Sequence, residues 1–245
     1  MISIIRRWRD RGYDNIYGTV TIQDWCAKFG LQNTSTIRVL DIGCGNGRDL
    51  VAIRNKLPAQ PVELFGIECT DDLARQAAQH GVQTYRVDLE SESLPFPNNY
   101  FDIVISNQVL EHLKNSIWAF HEQVRVTKRN GLMIIGVPNL AALHNRVLVT
   151  LGRQPSCMKA DGPHVRGFTL HELLRLVSAS KGIQPVGRGG TYIYGFPPAI
   201  GKLLGRLFPS LSTTILVAIK KTTDQADILS LLGEGARFET NYFVG

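Results

Sequence analysis

The sequence lacks a metal-binding spacing. Its four cysteines, Cys26, Cys44, Cys69 and Cys157, are scattered, with no CxxC pair and no histidine cluster at zinc spacing. Small thiols used as apolar fillers follow from that scatter better than disulfides or a zinc centre. No apolar run is long enough to span a bilayer, and the opening MISIIRRWRD reaches its charges too early for a signal peptide. A cytoplasmic protein is the expectation. Internal repeats and low-complexity tracts are absent as well. The net charge of +6, with arginines dense in RRWRDR, permits an acidic partner, but a solvated face on a mildly basic protein is the expectation, and the charge alone decides nothing.

What is present is a regular alternation. With 245 residues the chain can bury the core of one large domain. From residue 37 onward, short apolar runs alternate with helical patterns. IRVLDI (37–42), VELFGI (62–67), VQTYRV (82–87), YFDIVIS (100–106) and LMIIGV (132–137) are expected as strands, with two more near 183–194 and 213–220. Helices are expected from Asn46 to Leu57, stopped by Pro58, from Thr70 as a cap to Gly81, and from Asn115 or Ser116 onward. Thr169 and Glu172 form a capping-box pattern ahead of LHELLRLVSAS. This order implies an α/β, doubly wound, mostly parallel sheet with its ligand edge at the strands' carboxyl ends. Residues 1–36 read as a helical lead-in, 37–221 as the domain, 139–168 as a helical insertion over the site, and 222–245 as a tail. In the insertion Leu140, Leu143, Val147, Leu148 and Leu151 recur at helical spacing before Gly152.

The chemistry centres on VLDIGCGNGRDL. Asp41 ends a strand, and Gly43, Gly45 and Gly47 then alternate with Cys44 and Asn46. Glycine lets a ligand touch main chain directly, and the helix that follows offers unpaired N–H groups. Position 48 is Arg, so the dinucleotide pattern G-x-G-x-x-G is broken, and no Gly-Lys-Ser/Thr makes a P-loop. Glu68 stands at the end of the second strand, placed to accept both hydroxyls of a ribose. Asp88 stands just past the third, placed to accept from an adenine amino group. Either acid alone reads as a loop carboxylate; three strand-end features on successive strands do not.

VLDIGCGNG, Glu68 in FGIECT, VDLESESLPFPNNYFDIVISNQVLEHL and GLMIIGVPN resemble the class I S-adenosylmethionine-dependent methyltransferases over residues 37–138, and more loosely over 164–185. The resemblance implies a Rossmann-like, seven-stranded, three-layer α/β/α fold with the last strand antiparallel, and S-adenosyl-L-methionine as cofactor. It implies that Asp41, Gly43, Cys44, Gly45, Asn46 and Gly47 hold the methionine end, Glu68 with Cys69 the ribose, Asp88 with Leu89 the adenine, and that Asn107 contacts the cofactor.

An activated sulfonium leaves the protein mainly to align acceptor, methyl carbon and sulfur and to exclude water. A hydroxyl acceptor also benefits from a base. His112, just past the fourth strand, and His164, in DGPHVRGF, are the candidate catalytic residues; orienting a loop and pinning the insertion are their competing roles. His144 is expected at the surface. Ubiquinone-biosynthesis and small-RNA 2′-O-methyltransferases carry a metal-binding E-x-x-E-H here. This chain reads Gln108-Val109-Leu110-Glu111-His112, and losing the first carboxylate argues for no metal. SNQV in place of an Asn/Asp-Pro-Pro-aromatic motif argues against base N-methylation, and no RNA-binding module is recognisable. O-methylation of a small-molecule or glycan/lipid-linked acceptor is the leading expectation. An RNA ribose methyltransferase and a non-catalytic cofactor-binding regulator are the alternatives. Finally, Ile200, Leu203, Leu204, Leu207 and Phe208 share one helical face, with Lys202 and Arg206 on another side. That face is expected to pack on the sheet or a second subunit, or else to make peripheral contact with the inner membrane face through 199–208.

Overall fold

A computed structural model describes residues 17–30, 35–57, 60–226 and 228. The basic run at 6–11, most of the 1–36 lead-in, Pro58 and nearly all of the tail beyond 226 lie outside the described residues. The described part of the lead-in supplies one helix, α1 (Thr19–Phe29). Then follow β1 (Ile37–Ile42), α2 (Arg48–Lys56), β2 (Val62–Ile67), α3 (Asp71–Gln79), β3 (Val82–Tyr85) and β4 (Phe101–Asn107). A 3₁₀ turn (Leu110–His112) leads into α4 (Ser116–Val126) and β5 (Thr127–Pro138). The remainder is α5 (Leu143–Thr150), α6 (Leu170–Ala179), β6 (Ile183–Gly190), α7 (Pro198–Leu207), a second 3₁₀ turn (Pro209–Leu211) and β7 (Thr214–Lys221).

The seven strands form one sheet in the order β3-β2-β1-β4-β5-β7-β6, parallel except for β7, which runs antiparallel to both neighbours. Both faces are covered, because successive side chains point to opposite sides and both sets are apolar. Leu40, Ile42, Val104, Met133 and Ile135 pack with α4 and α6 on one face. Ile37, Val39, Ile103, Ile105, Leu132 and Ile134 pack with α1, α2 and Ala77 of α3 on the other. The chain winds outward from β1 to β2 and β3, then returns to place β4 on the other side of β1. The switch point is therefore the crevice at the carboxyl ends of β1 and β4, where an open α/β sheet takes its ligand. No helix among the described residues is long and apolar enough to cross a membrane.

Three local expectations are corrected. Thr70 stands at the N-cap of α3, but its side chain makes no cap bond; its N–H is instead taken by the Glu68 carboxylate at 2.8 Å. The fifth strand, expected over 132–137, begins earlier: β5 starts at Thr127, which pairs with Phe101, and a register shift beside Phe101 absorbs the left-handed Asn130. On α7 the sheet-facing residues are Gly201 and Gly205, not the leucines. A Cβ on Gly205 would lie 2.8 Å from Thr191 main chain, and one on Gly201 would enter the Tyr192 ring. Thr169 does cap α6, accepting from the Glu172 N–H at 3.2 Å.

Candidate functional site

The glycine loop leaves β1 bent against β2. The Gly43 and Cys44 N–H groups both donate to the Ile67 carbonyl, at 2.8 and 3.0 Å. Gly43, Gly45 and Gly47 all have positive φ, the region that favours glycine. Added Cβ atoms at 43 and 47 would meet Val109 and Val82 at 2.8 and 3.0 Å, whereas at Gly45 nothing lies within 4 Å. Gly45 therefore faces open space with bare main chain, and the N-terminus of α2 behind it has no side-chain cap. Asn46 offers its side-chain oxygen to the Arg48 N–H only at 3.4 Å. Cys44 is a filler: it is buried against Gly66, and burial, with Asp41 and Glu68 adding to it, pushes its thiol up to about 12.

The acids around the loop differ in kind. Glu68 is buried and its two oxygens accept from Gly45 N–H at 2.9 Å and Thr70 N–H at 2.8 Å, tying the end of β2 to the loop. Cys69 is exposed beside it. Asp41 is buried at the end of β1 and makes no ion pair among the described residues. Burial first, and then the charges of Asp49 and Glu68, drive its carboxyl well above the ordinary range. Asp88 is exposed, held below the usual range by bonds from Ser91 Oγ at 2.7 Å and Glu90 N–H at 3.0 Å. Leu89 packs against the core beside it. Asn107 sends its amide to the Tyr17 carbonyl at 3.1 Å, and its buried side-chain oxygen has no partner.

A second group gathers just past β4. Gln108 takes a left-handed φ of 61° and leaves a buried amide nitrogen unpartnered. Strain at a strand end of this kind is of order 1–3 kcal/mol and persists where the surroundings enforce it. Three residues on, Glu111 is 1% exposed and neither carboxylate oxygen has a hydrogen-bond partner. Its carbonyl accepts from Val165 and Arg166 N–H at 2.8 and 3.1 Å, which brings the 153–168 loop over it. The His112 and His164 rings meet edge to face at 4.7 Å. Glu111, His112 and His164 present ligand atoms all within 4.8 Å of one another. His112 Nδ1 lies 3.3 Å from the Pro163 carbonyl and His164 Nδ1 2.7 Å from the Cys157 carbonyl. Carbonyls only accept, so both Nδ1 atoms are the donors in these bonds and each Nε2 is the ring atom left for another partner; burial holds His112 below the usual histidine range, which keeps a lone pair on its Nε2.

Residues 40–135 match the family described as "Methyltransferase domain". A bifunctional methionine biosynthesis protein, MetXA/MetW, of Rhodopirellula baltica is 35% identical over 51% of this chain and 20% of its own length. An uncharacterised methyltransferase of Bacillus subtilis, YcgJ, is 31% identical over 59% of this chain and 56% of its own. Among solved structures, a SAM-dependent methyltransferase from Thermotoga maritima superposes with a TM-score of 0.58 at 18% identity, covering 90% of this chain and 96% of that one. Residues 40–135 thus carry a methyltransferase domain, and the sheet around them has the fold of the S-adenosylmethionine-dependent methyltransferases. The matched stretch spans about half or less of the length of these curated relatives, 56% at most of the two named.

The methyltransferase domain has the donor set that its family's cofactor asks for. An open face at Gly45, the start of α2 without a side-chain cap and a buried Asp41 with no ion pair among the described residues suit the charged methionine end. Glu68 retains lone pairs beyond its two loop bonds for the ribose hydroxyls. The structure brings Glu68 onto the glycine loop through Gly45 N–H, whereas Asp88 bonds within its own 88–92 turn and Asn107 turns toward Tyr17. His144 is half-buried, bonded to Ser156 Oγ at 2.7 Å rather than free at the surface. Glu111 is legible in sequence as the remaining acid of the E-x-x-E-H comparison; its burial and its contact with the 153–168 loop are visible only in the fold.

Glu111 also gives the domain a pH signature. Burial pushes its carboxyl from 4.5 up to about 7. Between those values the unfolded chain ionises first, so stability falls as pH rises through the window and the loss is complete above it. The full effect is roughly 3 kcal/mol. Glu111→Gln removes the titration. Its melting temperature relative to wild type should climb from pH 4.5 to 7 and then level off. A flat difference across that range means Glu111 stays ionised in the native state.

Proposed function

We propose that this chain is an O-methyltransferase acting on a small-molecule or glycan/lipid-linked hydroxyl, and that Glu111, His112 and His164 activate that hydroxyl. The observation that carries the reading is the gathering of His112 Nε2, 4.0 Å from Glu111 Oε1, and the His164 ring packed against His112, beside a buried carboxylate that accepts no hydrogen bond among the described residues. The cluster lies beside the glycine loop, since a Cβ on Gly43 would touch Val109 at 2.8 Å, three residues before His112. When bound, S-adenosylmethionine supplies an activated methyl that an oxygen nucleophile displaces in line, the carbon–sulfur bond breaking as the carbon–oxygen bond forms. The chain's own part is to seat the hydroxyl and take its proton on an imidazole Nε2. Burial, with a smaller effect from His164, keeps His112 below the usual histidine range, so it is neutral and able to accept at pH 7.

Two histidines and one carboxylate are also a set that suits borderline divalent cations. We favour the proton role, because with Gln at 108 the site has only one carboxylate. The test is an acceptor screen with methyl-labelled cofactor, run with and without chelator. A labelled methyl ether formed at an unchanged rate in chelator supports the reading. Loss of turnover restored by manganese or zinc turns the cluster into a cation site. A methyl found on nitrogen or carbon rejects O-methylation. Calorimetric cofactor binding with no transfer to any acceptor favours a regulatory protein.

A further inference from the structure

We propose that α5 and α7 together form a docking face for an anionic lipid bilayer, with the protein lying on the membrane surface. This goes beyond the acceptor reading and does not depend on it. α5 is tied to the two ends of the α7 segment: the His144 ring meets Tyr194 at 4.8 Å just ahead of α7, and Arg146 reaches the Ser210 carbonyl, just after it, at 3.5 Å.

Most of the apolar residues on and just after α7 are left exposed, Leu204 alone among the leucines being partly covered. Gly201 and Gly205 occupy its inward side, close against Thr191 and Tyr192, so the helix packs by its glycines and turns its leucines out. Ile200, Leu203, Leu207 and Phe208 are 49%, 57%, 62% and 52% exposed, and Val147 and Leu151, on and just after α5, are similarly open. An amphipathic helix ordinarily buries such a stripe in its own core. Here that option is closed, and contiguous exposed apolar area marks an interaction surface.

Charge identifies the occupant. Residues 139–211 carry nine Lys and Arg against two Asp and Glu, while the remainder of the chain carries 18 against 19. The net positive charge of the molecule is therefore concentrated in the segment that bears this face. Arg146, Arg153, Lys202 and Arg206 are exposed on or beside the two helices, and neither helix holds an acidic residue. A two-fold dimer would set each patch against its own copy and bring these cations together without counter-charges. An anionic bilayer takes the apolar side chains into its acyl boundary and meets the cations with lipid phosphates.

The test is flotation of the full chain with phosphatidylcholine vesicles, with and without phosphatidylglycerol. Wild type should float with the anionic vesicles, lose that retention as salt rises, and bind neutral vesicles weakly. Leu203→Asp with Leu207→Asp should weaken partitioning by at least about tenfold. Lys202→Ser with Arg206→Ser should also weaken it at least about tenfold, at roughly fivefold per cation. Both variants should bind cofactor as wild type does, which shows that they are folded and separates this inference from the methyl-transfer reading. No retention on anionic vesicles overturns the proposal, as does retention that survives the two aspartates. A dimer that the aspartates dissolve, without vesicle binding, assigns the face to a second copy instead.

Discussion

Glu68→Ala should reduce affinity for S-adenosylmethionine by at least about 100-fold, from the loss of two or more charge-assisted bonds of roughly 1.5–3 kcal/mol each. The carboxylate does two things at once. It accepts from Gly45 N–H at 2.9 Å and Thr70 N–H at 2.8 Å, fixing the loop's main chain, and in the cofactor complex it is placed to accept from the ribose. Alanine removes both roles and leaves the Gly45 and Thr70 N–H groups without their carboxylate acceptor. Glu68→Gln should be nearly as damaging, because only one of its side-chain atoms can accept and its amide would confront one of the two donors. Asp88→Ala should be milder, about tenfold, since that residue is solvent-exposed and its bonds serve its own turn. Isothermal titration, with circular dichroism to confirm folding, measures all three. An E68A variant that binds like wild type places the cofactor elsewhere and dismantles the site.

The difference between these two acids marks what the sequence could convey. Glu68 and Asp88 look alike as single carboxylates after a strand, and spacing alone gives them equal weight. Burial separates them. The glycine loop folds back onto Glu68, a contact across 23 residues that no local pattern encodes. β1 and β2 were legible to the residue because each is a six-residue, mostly apolar and mostly buried stretch, IRVLDI and VELFGI, whose few polar residues do not break the run. Asp41 was legible by position, but not its isolation from any cation in the described fold, which depends on which side chains the sheet brings near.

Helix faces were legible only in part. The leucine stripe of α7 is plain in the sequence, and so are Gly201 and Gly205, spaced one turn apart. Periodicity assigns the inward side to the larger apolar residues, because burying them yields more free energy than burying glycine. Close approach to Thr191 and Tyr192 reverses that choice, since only a side without Cβ atoms fits there. In α5 a similar inference failed at the start: Leu140 matched the helical spacing, but Asn139 turns its oxygen to the Ala141 N–H at 3.0 Å and delays the helix to Leu143. Side chains that compete for backbone groups set such boundaries.

His164→Ala should lower turnover by about 10²–10⁴-fold while leaving cofactor affinity unchanged, the range for loss of a positioned base. His112→Ala should behave alike, and the double variant should be little worse than either single one if the pair acts as a unit. The competing role for His164 is mechanical: its Nδ1–H holds the Cys157 carbonyl at 2.7 Å and so pins the 153–168 loop. The two roles use different nitrogens, which makes them separable. Asparagine places its amide near the position of Nδ1 and can keep the tether, but it has no lone pair at Nε2. His164→Asn should therefore be as slow as His164→Ala if the residue accepts a proton, and close to wild type if it only holds the loop. The pH profile gives an independent readout. With His112 held below 6.5, the wild-type rate should stay level through neutral pH and fall only on acidification past that value, and His112→Ala should abolish that limb.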